Sequence, residues 1–266
     1  MRIFSSYFKE RWVILLIYVV ALFLLMWMYI GLFPSIKSQA QSFNQLIQQM
    51  PEGLRSAFGA DAFDYSNLGS YLSTEMFGFL WPLVMIIFTL SWAANALAGE
   101  VELGTVEIVL SKPVSRLRVY WERYLAGVAA LFIYVVFSIL SLIPFARLYS
   151  IDISHLHPVL LSLLCFLFGM AVFSLGTLLS AIFSDKSKVY AFGAGLLVLT
   201  YVLNIVASLK DSLSDLKYGS FFYYFNPAQA IVHDKIVTEG YWVFILFSLV
   251  TVLLGAWYWN RRDITA

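Results

Sequence analysis

Six stretches of this sequence, residues 12–33, 76–98, 124–146, 158–183, 189–209 and 241–259, contain no Asp, Glu, Lys, Arg or His. A helix must offer ~20 mostly apolar residues to cross ~30 Å of hydrocarbon, and each stretch meets that length. Strands of a membrane barrel would alternate polar and apolar over about ten residues; these runs are apolar on every side. The sequence therefore predicts an all-α membrane protein of six spans, read as one transmembrane domain over residues 1–266. Only 12% of the chain is charged, about half the usual share of a soluble domain, so there is too little charge to cover a water-facing surface.

Six spans put both termini on one side. With that side inside, Arg2, Lys9, Arg11, Lys112, Arg116, Arg118, Arg123, Lys186, Lys188, Arg261 and Arg262 are cytoplasmic, while Lys37, Arg55, Arg147, Lys210, Lys217 and Lys235 are outside. Eleven of the seventeen basic residues fall on the side of the short loops, as the positive-inside rule requires. The predicted orientation is N-in, C-in, with Trp257-Tyr258-Trp259 and Arg261-Arg262 as an anchor at the inner interface. Ser38-Gln39-Ala40 has the form of a signal-cleavage site, but the apolar run before it exceeds the usual 7–15 residues; a retained signal-anchor is expected.

The outer loop after the first span carries Ile36, Ala40, Phe43, Leu46, Ile47 and Met50 at helical spacing, with Pro51 ending that helix and Leu54, Ala57 and Phe58 extending its apolar face. It is expected to be an amphipathic connector in the headgroup layer or, in the sharper reading, an outer gate. The last outer segment carries the aromatics Phe221 to Phe225, which suit a membrane interface, then Asn226-Pro227, where a short helix to Val237 is expected. Ser184 to Lys188 reads as a tight hydrophilic turn.

Several chemistries lack their residues. The net charge of +1 provides no basic field for nucleic acid. The lone Cys165 excludes an internal disulfide and sits in an apolar run, where a thiol acts as a small hydrophobe. His155, His157 and His233 all lie outside the spans, so Ser174 has no span histidine to activate it. His155 and His157 could bind a metal with Asp152, but an interface turn beside Pro158 explains them more simply; neither a metal site nor a cofactor site is predicted. No GxxxxGK[ST] phosphate loop occurs, so the chain has no P-loop ATPase of its own. Charge-free spans also argue against a proton relay or a mid-membrane ion site.

The loop between the second and third spans, AGEVELGTVEIVLSKPVSRLRVYWERY, concentrates the inner charge. Glu100, Glu102 and Glu107 come first and Lys112, Arg116, Arg118 and Arg123 follow, in the sense that favours a helix dipole. Val101, Thr105, Ile108 and Val109 share a helical face, and Pro113 breaks it, so a short cytoplasmic helix ending at Lys112 is expected. From the residues alone it is either a docking element or a solvated linker with pairs such as Arg118–Glu122.

Glu100, Gly104-Thr105 and the string Val109-Leu110-Ser111-Lys112-Pro113-Val114-Ser115-Arg116 resemble the E-x(3)-GT-x(3–4)-LLS-x-PVSR stretch of type-two ATP-binding-cassette (ABC) exporter permeases. The span count, the long first outer loop and the ending Trp259 to Asp263 are similar as well. The resemblance implies that this stretch is the coupling helix seated on a cytoplasmic ATPase, with Glu100, Glu102, Gly104, Thr105, Glu107, Ile108, Lys112, Pro113 and Arg116 as its working residues. It implies a separate P-loop ATPase in two copies, which would carry ATP and magnesium, and a second copy of this permease or a related one, in a bacterial cell membrane among lipid. Gly104 would then allow a close approach or a helix start, and Thr105 would cap the following turn; the glutamates would offer charge to a partner, and Arg116 would pair with them or with lipid phosphate. Thr89, Asn95, Ser174, Thr177 and Asn204 are candidates for a substrate pathway, although helix packing also accounts for them, as it does for Gly169, Gly176, Gly193 and Gly195. An uncharged aromatic pathway suits an amphipathic or hydrophobic cargo (a peptide, antibiotic or lipid-like compound). The other readings are a non-transporting membrane subunit (immunity, assembly or sensor), a sodium or ion extrusion permease, and an enzyme working through its loops.

Overall fold

The structure, a computed structural model, describes residues 2–49, 64–106, 108, 111, 113–236 and 238–263. Among these the chain is helical, with no strand. The elements are α1 (Arg2–Ser38), α2 (Ala40–Gln48), α3 (Leu68–Glu75), a π-helical turn (Met76–Leu80), α4 (Trp81–Ala96), α5 (Ala98–Glu102), α6 (Arg116–Leu140), α7 (Leu142–Leu148), α8 (Pro158–Ile182), α9 (Lys186–Leu209), a 3-10 segment (Asp211–Gly219), α10 (Phe221–Tyr224), α11 (Pro227–Ile231) and α12 (Thr238–Arg261). Six of the resulting rods are long and apolar enough to cross a membrane, and they match the six predicted spans. The protein is an all-α, multi-pass membrane protein.

Helix α8 is the centre of the bundle. It packs against α12, α4, α6 and α9, while α1 lies outside against α6 and touches α4 and α7. The apolar window of α8 is 61% buried, against 22% for α1 and for α9. Their exposed faces carry Ile17, Leu24 and Trp27 on α1 and Phe192, Val198 and Leu199 on α9, a lipid-facing composition. Close approach to α8 rests on missing side chains, as expected between membrane helices. A Cβ on Gly176 of α8 would come within 2.9 Å of Ala93 in α4 and one on Gly169 of α8 within 2.8 Å of Leu131 in α6, while Gly193 likewise brings α9 onto α4, where its Cβ would come within 2.8 Å of Leu90. Gly195 departs from the expectation, because no atom lies within 4 Å of such a Cβ; it faces outward from the bundle.

Prolines explain where the rods differ from the predicted spans. Helix α1 runs through Pro34 to Ser38 instead of stopping at Phe33, since a membrane helix tolerates one freed carbonyl. In α4, Pro82 follows the π turn, where the Trp81 amide reaches back to Met76; a pyrrolidine ring clashes with the carbonyl four residues earlier, and the ladder widens there. The third span is broken at Ser141, between α6 and α7, and Pro144 clashes with Leu140 in the same way.

The end away from the termini differs more. Of the expected amphipathic helix, α2 forms over Ala40–Gln48, with Ala40 buried and Leu46 exposed, while Ile36 belongs to α1; Met50, Pro51, Leu54, Ala57 and Phe58 lie outside the described residues. Asn44 ties α2 to the next segment by donating to Asp64 (3.3 Å) and accepting from the Tyr65 amide (3.2 Å). The Ser66 hydroxyl holds the Asp64 carboxyl below its ordinary range. The aromatics Phe221 to Phe225 are not an interfacial skirt. Phe225 stacks on Phe168 of α8 at 4.5 Å, Phe221 meets Phe247 of α12 at 4.8 Å, and Phe222 meets Tyr201 of α9 at 5.0 Å. Their rings pack among α8, α9 and α12 at the end of the bundle away from the termini, where aromatic faces bury large apolar area against one another. The helix predicted from Pro227 stops at Ile231, capped by Asn226, whose side-chain oxygen accepts from the Gln229 amide. Val237 lies outside the described residues.

Candidate functional site at the end that holds both termini

Both termini sit at one end of the bundle. Glu122 of α6 accepts from the amides of Ile3 and Phe4, at 3.1 and 3.0 Å, and from Arg118 Nε at 2.8 Å. That carboxylate caps the start of α1, as helix N-termini favour. Arg262, just past α12, donates through Nη1 to the carbonyls of Ala181 (2.9 Å) and Phe183 (3.0 Å) and through Nη2 to Ser184 Oγ. It thereby satisfies carbonyls that the C-terminus of α8 leaves orphaned. Its own carbonyl accepts from Arg116 Nη1. Arg116 is therefore bonded to the backbone just past α12, and not to the acids, which were one of the two partners expected for it.

The chain leaves α4 at Leu97, where φ of −130° breaks the helix. Ser180 of α8 repairs the break: its hydroxyl oxygen accepts from the Leu97 and Ala98 amides at 3.3 and 2.9 Å and donates to the Ala94 carbonyl at 3.3 Å. Buried backbone groups must find such partners. Helix α5 then spans one turn and a half and ends at a turn in which Gly104 takes φ +67°. No atom lies within 4 Å of a Cβ at Gly104, so the glycine serves the left-handed backbone and not a close approach. The expected single helix from Glu100 to Lys112 is thus interrupted at Gly104. Beyond it the Ile108 amide reaches Thr105 O at 3.1 Å, and Pro113 follows as an exposed bend. Glu107, Val109 and Lys112 lie outside the described residues.

The acids face inward. Glu100 Oε1 lies 3.1 Å from Arg123 Nη2, and its Oε2 accepts from the Thr105 hydroxyl at 2.7 Å. Thr105 therefore closes the turn onto Glu100. Glu102 Oε2 accepts from the Lys186 amide at 2.9 Å, with Lys186 Nζ at 3.9 Å, so it caps α9. The Ser184 to Lys188 turn is a docking point for α5, beyond marking topology. Two large apolar side chains of the segment stand exposed, Leu103 at 69% and Ile108 at 64%, while Val106 between them is buried. The Arg118–Glu122 pair is present at 2.8 Å.

The pathway candidates are not brought to a common lined cavity. The Thr89 and Thr177 hydroxyls bond back to Met85 O and Phe173 O of their own helices, and Asn95 Nδ2 donates to Ser91 O. Ser174 is buried against the Tyr124 hydroxyl at 2.8 Å, and the Asn204 carbonyl accepts from Ser208. The side chains of Thr89, Asn95, Ser174 and Thr177 thus have partners within the bundle, while the Asn204 bond is made by its backbone. At the opposite end His155 pairs with Asp152 at 4.0 Å and His157 with Asp234 at 3.3 Å. The two histidines have separate partners, and no group of three His, Cys, Asp or Glu suited to a metal occurs among the described residues. The Ser154 amide lowers the Asp152 carboxyl. Trp259, expected at the interface, is fully buried, because the helical period places it with Val252 and Ala256. Trp257 stays outside beneath Arg261, 4.8 Å from its ring.

Two residues at this end escaped the sequence reading. Arg123 stands in the sequence only as an inner-side cation closing the basic half of the charged loop, and nothing there marks Ser180. The signal for Arg123 was a cation at the very edge of a span, one loop away from a glutamate cluster.

Comparison with known families decides the identity. A family model described as ABC-2 family transporter protein matches residues 4–263, nearly the whole chain. The chain belongs to the ABC-2 transporter family. No curated protein matches it. As an ABC-2 chain it is the membrane-embedded permease component of an ABC transporter, and the family implies a separate ATP-binding subunit as its partner. In such a transporter the polar end that carries residues 98–116 is the end of interest, since it holds the stretch that resembles the coupling motif.

Proposed function

We propose that this ABC-2 permease exports an amphipathic or hydrophobic compound, driven by two copies of a cytoplasmic P-loop ATPase that carry the ATP and magnesium. A second copy of this permease or a related one completes the pathway, and the chain itself performs no catalysis. The end holding both termini faces the cytoplasm. Residues 100–116 dock on the ATPase, with Glu107 and Lys112 at their centre. The observation that carries this reading is the pair Leu103 and Ile108: two large apolar side chains stand exposed on a segment whose Glu100 and Glu102 are already bonded to Arg123 and to the start of α9. Apolar side chains held rigidly beyond a charged rim are what a protein groove receives. The uncharged, aromatic interior supports the choice of cargo.

The test is co-purification in detergent with the P-loop ATPase encoded beside this chain, using the full-length permease. Wild type is expected to retain the ATPase, and Leu103→Asp/Ile108→Asp to lose it. If wild type captures none, the coupling reading falls and a non-transporting membrane subunit takes its place. For cargo, stimulation of ATPase activity in liposomes by amphipathic peptides is expected; stimulation by sodium alone would overturn that choice.

A further inference from the structure

One guanidinium joins four helices at the root of the docking segment. Arg123 of α6 is 5% exposed. Its Nη2 pairs with Glu100 of α5 at 3.1 Å, its Nη1 donates to the Ala96 carbonyl at the end of α4, and its central carbon lies 5.6 Å from the ring centre of Tyr7 in α1. Arg11 approaches the same ring at 5.6 Å, and the Tyr7 hydroxyl donates to Trp92 O at 2.8 Å. Only arginine offers a planar fork of donors that can hold a carboxylate and a carbonyl at once while lying against an aromatic face. Net stability is a poor reason for such a pair, because desolvation offsets most of the Coulomb gain of buried charges. Geometry is the better one. Past the break at Leu97, Ser180 and Glu102 tie α5 to α8 and α9, and the contacts of Arg123 supply its tie to α1 and α6.

We propose that Arg123 is a positioning residue that fixes residues 98–105 to α1 and α6 as one body. A displacement of the segment is then carried into both helices instead of being absorbed at the Leu97 bend. That such a displacement comes from an ATPase rests on the proposed function; the locking itself does not.

The test is a distance distribution between spin labels at Leu103 and Lys9, in a Cys165→Ala background of the full chain in detergent. The pair Lys9–Lys188 is the control, because it spans the same end without crossing Arg123. The unsubstituted background is expected to give one narrow peak for Leu103–Lys9. Arg123→Met and Glu100→Gln should each broaden it at least twofold, Arg123→Lys should give an intermediate width, and the control pair should be unchanged in all of them. Glu100→Gln keeps the test available if Arg123→Met does not fold. A Leu103–Lys9 peak that stays narrow in the variants, or a control that broadens equally, overturns the proposal. Broadening without capture of any ATPase would leave the locking intact and remove only its link to ATP.

Discussion

At the scale of the residue, absent atoms matter as much as present ones. A Cβ on Gly127 would sit 2.0 Å from Cζ of Phe173, in a ring already stacked on Tyr124 at 5.3 Å. Overpacking of that kind costs roughly 1–3 kcal/mol. Gly195 meets open space, and replacing a helical glycine without strain returns about 0.4–1 kcal/mol. Thermal unfolding in detergent should therefore place the midpoint of Gly127→Ala below wild type and that of Gly195→Ala at or above it; equal midpoints would contradict the packing around α8. Ser180→Ala strands the Leu97 and Ala98 amides, and leaving a buried donor unpaired costs about 1–3 kcal/mol. Its midpoint should fall too, although the substitution removes one oxygen and no apolar contact.

Among the elements, α5 and the ends of α8 and α12 show what can be read from a sequence and what cannot. The six spans were legible because the thickness of a bilayer sets their length whatever they pack against. The span ends were not, because Pro34, Pro82 and Pro144 each act through a carbonyl four residues back, and a neighbouring helix decides whether the rod continues, widens or breaks. The motif around Gly104-Thr105 was visible, but its helix was not divided in advance: an isolated glycine permits positive φ without demanding it. Glu100 and Arg123 stand 23 positions apart, and charge alone does not reveal that they meet. The same limit hid the role of Arg262, which looked like an interfacial cation and instead caps α8. Arg262→Gln removes charge-assisted bonds to Ala181 and Phe183, worth ~1.5 kcal/mol or more. Amide exchange in the last turn of α8 should then rise about tenfold while the first turn is unaffected; an unchanged last turn would show that α8 ends without that cap.

For the whole molecule, sidedness follows from which polar groups share an end. Lys9 and Lys188 are exposed at the end holding both termini, and Ser154 and His233 at the other. Single cysteines at these four positions in a Cys165→Ala background should react with a membrane-impermeant maleimide in intact cells only at 154 and 233. Labelling at 9 and 188 instead would invert the orientation and place the docking segment outside. The native Cys165 is fully buried, so it adds no background of its own. Helix α8 packs against four other long helices, whereas the apolar windows of α1 and α9 are only 22% buried. Chance substitutions will therefore not be accepted evenly along this chain. An apolar exchange on the outer faces of α1 or α9 trades one hydrocarbon contact for another, while along α8 nearly every added methyl meets a different helix. Over many generations the lipid-facing rods can drift freely within the limits of oiliness, and the central one will keep its sequence longest, a clock running slowest at the middle of the bundle.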